Sequence, residues 1–84
     1  MRSGDTLKNG AKVVAFFSGP IGWGVVLADT RGHSAHRWAT WLLDEKGGTF
    51  YGHYFLETEE REARKDFQDR ICHNMVATLQ EWTA

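Results

Sequence analysis

Four histidines and one cysteine are the side chains of this 84-residue sequence best suited to bind a metal or move a proton. His33 and His36 are three apart, and His53, Cys72 or His73 would have to complete a tetrahedral site around them. That pair falls in a stretch of Gly, Ser, Asp and Thr without periodicity, and no Cys-x-x-Cys accompanies it. Ordinary surface histidines account for the pattern, so no metal and no other cofactor is expected. His53 lies in a β-forming run, where it would hydrogen-bond Thr40 or face solvent, and no positioned acid or nucleophile is evident to make it catalytic. Gly19-Pro20-Ile21-Gly22-Trp23-Gly24 imitates a phosphate loop, yet such loops lead from a strand into a helix whose N-terminus holds the anion. Here another strand-like run follows, so the glycines read as turn geometry. Ser3, Ser18 and Ser34 have no nucleophile-elbow context, and Cys72 reads as an inert thiol beside a helical apolar stripe. The chain is expected not to be an enzyme.

The elements that would position these residues are legible from their periods. Lys12 to Ser18 is β-branched and aromatic, and reads as a strand. A Gly-Pro turn leads to a second strand, Trp23 to Ala28, and then to a loop from Asp29 to Ala35. Arg37 to Leu43 and Thr49 to Leu56 form a hairpin about Asp44-Glu45-Lys46-Gly47-Gly48. Pairing Asp44 with Thr49 sets Leu43 opposite Phe50, Leu42 opposite Tyr51, Trp41 over Gly52, Thr40 opposite His53 and Trp38 opposite Phe55. An aromatic can cover the bare backbone of a strand glycine, which favours this register. From Thr58, a candidate N-cap, Ala63, Phe67, Ile71, Met75, Leu79 and Trp82 recur at helical steps. Asp66, Asp69, His73 and Gln80 should then face outward, and Glu57–Arg61, Glu60–Arg64 and Asp66–Arg70 are favourable pairs four apart. The expected fold is α+β: a curved four-stranded antiparallel meander over residues 12–56, then one helix over 58–82 packed on one face. Residues 1–11 should be a loose lead-in anchored only by Leu7.

Composition narrows the class of function. At 84 residues the chain is a single domain, too small to divide its core. No apolar run approaches the ~20 residues that span a bilayer, the N-terminus lacks a signal-peptide core, and one cysteine suits a reducing compartment. No membrane association and a cytoplasmic location are expected. The net charge of −1 gives no overall attraction for nucleic acid. Residues 1–56 carry six Lys/Arg against four Asp/Glu, and residues 57–84 carry four against seven.

Nine of the eleven aromatics lie on the expected strands. In the register above, one hairpin face carries Trp38, Leu42, Tyr51 and Phe55, and the other Trp41, Leu43, Phe50, Tyr54 and Leu56. Four strands at ~4.8 Å spacing are wider than one helix of ~10 Å, so the helix cannot cover both faces. The second face is closed by curling of the sheet, by a second copy, or by another macromolecule. Arg37, Trp38, Tyr51, His53, Tyr54 and Phe55 are the candidate partner-binding residues, on the sheet face opposite the helix. A protein partner or a homodimer is the leading expectation. The alternative is single-stranded nucleic acid stacked on the sheet aromatics, with Arg37, Lys12, Arg31 and His36 at the phosphates.

Two resemblances add context. Lys8 to Asp29, with Gly10, Val13-Val14, Gly19, Gly22, Gly24 and Val25-Val26, resembles the KOW-type or SH3-like barrel pattern, which implies a curved sheet. Thr40-Trp41, Gly48, Gly52-His53-Tyr54-Phe55, an acidic helix start and Asp66-Phe67 with Arg70 resemble small proteins of bacteriophages and other mobile bacterial elements. That resemblance covers residues 37–71 and carries over no catalytic residues. It implies an accessory protein that binds and blocks a bacterial host protein, such as a defence component.

Overall fold

The computed structural model describes residues 3–19, 22–32 and 35–83, with side chains described through Asn74. Four antiparallel strands form one sheet in chain order: β1 (Lys12–Ser18), β2 (Gly24–Asp29), β3 (Trp38–Leu43) and β4 (Thr49–Phe55). A 3-10 turn, Glu57–Glu59, leads into the single α-helix α1, Glu60–Thr83, which packs on the sheet. The meander-plus-helix expected from the sequence is therefore the observed α+β fold. β1 and β4 are edges that do not meet, so the sheet is open and does not close as a barrel.

Val25-Val26-Leu27-Ala28 is an uninterrupted apolar run because β2 is buried on both faces. On one face Leu27, Trp38 and Ala63 form a buried cluster with Val14, Ala15, Phe55 and Phe67 around it. Ala63 is the contact that lets the helix approach, since its methyl group leaves room for the Trp38 indole. On the other face Leu7 and Ala11 pack with Val13, Val26, Ala28, Ala39, Trp41 and Leu43. The N-terminal segment thus supplies much of the cover that one helix cannot provide. It is held, not loose: Gly4 N–H donates to Val13 O (2.8 Å), Val13 N–H to Asp5 O (2.8 Å) and Leu7 N–H to Ala11 O (2.8 Å). Leu7 is the anchor that the sequence suggested. The backbone bonds around it are what apolar patterning cannot reveal.

Two further local readings change. Thr58 does not cap the helix but lies within the 3-10 turn, and the entry is fixed by Leu56, whose N–H donates to the Glu59 carboxylate at 2.7 Å. In the hairpin, Trp38 faces Phe55 and Thr40 faces His53 as expected, but Leu42 faces Phe50 and Leu43 faces Thr49. A β-bulge sets both Tyr51 and Gly52 against Trp41, with Tyr51 in the left-handed region at φ 51°. The extra residue moves Phe50 to the helix side, away from Tyr54. Among the described residues no helix is long and apolar enough to cross a membrane.

Candidate functional site

Thr40 and His53 are a cross-strand polar pair on the helix side of an apolar sheet, and a buried hydroxyl there needs a partner. Asp66 supplies it, accepting from Thr40 Oγ1 at 2.6 Å. The same carboxylate lies 3.0 and 3.1 Å from His53 Nδ1 and 3.3 Å from Arg70 Nε. Arg70, only 8% exposed, also reaches across the helix–sheet gap to donate from its terminal nitrogen to the Tyr51 main-chain carbonyl. The Tyr51 bulge turns that carbonyl out of the β3–β4 ladder and makes it available.

Arg70 Nε is 3.1 Å from His53 Nδ1 as well, so the ring's protonation has to be assigned from its neighbours. A bare Nδ1 would set its lone pair against the carboxylate. With Nδ1–H donating to Asp66, Arg70 Nε stays within ion-pair distance of Asp66 Oδ2. Burial by itself would raise the Asp66 carboxyl. The bonds from Thr40 and His53, with the charges of His53 and Arg70, outweigh it and hold the carboxyl below its usual value. Burial pulls the Arg70 guanidinium down against the opposing effect of Asp66, and it remains a cation.

Beside this cluster lies a groove of about 590 Å³ between β4 and α1. Leu42, Tyr51 and His53 line it from the sheet, and Asp69, Arg70, His73 and Asn74 from the helix. Among the described residues, its lining holds no serine, threonine or cysteine. Among the described residues no three His, Cys, Asp or Glu side chains are placed to hold a metal. His33 and Ser34 lie outside the described residues, and Cys72 is an exposed thiol.

The large apolar side chains left in water, among the described residues, are Phe50, Tyr51, Tyr54 and Leu56, at 48, 80, 53 and 48% exposure. All belong to β4 or the residue after it. They are not on one face: Phe50 opposes Leu42 on the helix side, while Tyr54 opposes Ala39 and meets Trp41 edge-on with ring centres 6.0 Å apart. Gly52 is required beneath that pair, since a Cβ there would lie 2.6 Å from both Trp41 Nε1 and Tyr54 Oη.

The six candidate residues separate accordingly. Trp38 is buried under the helix, with Nε1–H donating to Glu57 O at 3.1 Å, and Phe55 packs beside it. Both are core, not a surface opposite the helix, because the helix covers the face that they occupy. Arg37 stacks over Trp38, 4.8 Å from the ring centre, and pairs with Glu57 (2.9 Å) and Asp29 (3.4 Å). The hydrogen bond it donates to Asp29, the charge of that carboxylate, and the bond it donates to Glu57 raise the Arg37 guanidinium above its ordinary value. Glu57 is thereby committed to Arg37 in place of the Arg61 pairing expected from spacing. His53 and Tyr51 share the groove, and Tyr54 lies on the far face. The residues that sequence reasoning missed are Asp66, expected to face outward, and Arg70, read only as its helix-surface partner. Their signal was the Thr40–His53 pair, which demands polar company from whatever packs on it.

Compared with protein-family models, with curated proteins and with solved structures, the chain matches none.

Proposed function

We propose that this chain is a non-enzymatic protein-interaction module acting in the cytosol, and that the edge of β4 is its contact surface. One observation carries the reading: among the described residues, the exposed large apolar side chains are gathered on the edge strand β4 and the residue after it. Tyr51 adds to it. A bulky residue held at positive φ with its ring in water stores strain that core packing does not require. Tyrosine is among the residue types that dominate interface energetics. The partner is a second copy of the chain or, as the resemblance to phage-type accessory proteins implies, a bacterial host protein.

The nucleic-acid alternative draws support from the same aromatics, but two arginines nearest them are already committed, Arg70 to Asp66 and Arg37 to Asp29 and Glu57. Affinity capture from a bacterial lysate, comparing the native chain with the double variant Tyr51→Lys/Leu56→Lys, tests the reading. Proteins retained by the native chain and lost by a variant of unchanged circular dichroism support it. Identical capture by both sinks it, and a salt-dependent mobility shift with an oligonucleotide would favour the alternative.

A further inference from the structure

We infer that the partner of the β4 edge is a second copy of this chain, joined edge to edge about a two-fold axis. The inference rests on the interaction reading above and names its occupant.

The geometry favours an edge over a face. Phe50 projects on the helix side of the sheet and Tyr54 on the opposite side, so nothing stacked on one face could cover both. A strand laid alongside β4 covers the flanks of both faces at once, in the manner of strand addition.

Area points to a dimer of ordinary size. An aromatic side chain buries ~150–250 Å² in full, so the four exposures leave on the order of 500 Å² of largely apolar surface on one strand. A stable interface takes about 800 Å² from each partner, and the strand backbone with the rim of the neighbouring groove supplies the remainder.

Charge and topology make self-pairing permissible and finite. Thr49–Phe55 contains no Lys, Arg, Asp or Glu, the residues by which exposed edges usually repel their own kind. The opposite edge is covered at its start: Val13 of β1 gives both backbone groups to Gly4 and Asp5, and the strand bulges at Val14. β4 has a bulge of its own at Tyr51, whose carbonyl Arg70 holds, so the pairing runs along the residues on either side of it, and a two-fold contact of β4 with β4 is isologous and stops at two copies.

Sedimentation equilibrium on the native chain, on Tyr51→Lys/Leu56→Lys and on Ser18→Glu at the β1 edge tests this between ~5 and ~500 µM, the range of weak to moderate association. The expected result is a mass twice the 9.6 kDa of one chain for the native protein and for Ser18→Glu. The double variant should be monomeric, with unchanged far-ultraviolet circular dichroism. A native chain that stays monomeric throughout overturns the inference, as does a dimer that persists in the double variant. A monomer that nonetheless captures another protein through Tyr51 and Leu56 overturns self-pairing and leaves the interaction reading standing.

Discussion

Arg70 of the helix holds the main-chain carbonyl of Tyr51, so the residue that carries the least favourable backbone of the edge strand is fastened from behind by a buried cation. The same guanidinium meets Asp66, which meets Thr40 and His53, and the bulge is thereby coupled to the docking of the helix.

Tyr51→Gly should stabilise the fold. A non-glycine residue in the left-handed region costs about 1–2 kcal/mol, and a side chain 80% in water returns little of it. Denaturant unfolding should show a gain of roughly 1 kcal/mol while association through β4 weakens. A loss of stability would mean that the ring packs in a way its exposure conceals.

Arg70→Met should cost about 2–3 kcal/mol, because it strands a half-buried carboxylate and an unpaired carbonyl together. The midpoint of thermal unfolding should fall by roughly 10–20 °C on the scale of a small domain. Arg70→Lys keeps the charge without the fork that spans Asp66 and Tyr51, and should recover less than half of the loss.

Acid should act through Asp66. Its folded-state carboxyl lies below the ordinary 3.8, so the folded protein binds this proton less readily than the unfolded chain. The associated stability is complete above that ordinary value and is lost as pH falls below it, through the folded value. Asp66→Asn should be weaker by about 2 kcal/mol at neutral pH and should lose less stability on acidification from about pH 5 to 2. Urea midpoints measured across that range decide it. A variant as acid-sensitive as the native chain would place the effect elsewhere.

Leu7→Ala should destabilise by about 2–4 kcal/mol, the cost of emptying a core position. Near-ultraviolet circular dichroism should report the change, since Trp41 shares that cluster. A negligible effect would show that the segment is held by its backbone bonds alone.

The fold was legible because its signals were of the right period: four β-forming runs, turn residues between them, and a long helix. The site was less so, for a geometric reason. Ala63, Phe67 and Ile71 are spaced by four, and at 100° per residue such a row drifts around the helix. The face that meets the sheet keeps a straighter course through Ala63, Asp66, Phe67 and Arg70, and two of those four are charged. Reading apolar residues alone therefore turned Asp66 outward. The Tyr51 bulge was hidden because no glycine marks its left-handed position. Trp41 over Gly52 was readable from the hairpin, and the structure places the indole against that glycine. The expected continuation of the stripe through Met75, Val76, Leu79 and Trp82 lies outside the described side chains.

The tie between Leu7 and the far face of the sheet also orders events during synthesis. Leu7 leaves the ribosome well before Val26, Ala39, Trp41 and Leu43, the surface on which it comes to rest. Nascent chains of intermediate length thus carry a seal with nothing yet to seal, and chains that have just completed β3 expose tryptophan until the seal arrives. Hydrophobic surface exposed at that stage is what chaperones and neighbouring nascent chains encounter first. A weakened Leu7 would lower the yield of folded protein in cells by more than its equilibrium cost suggests.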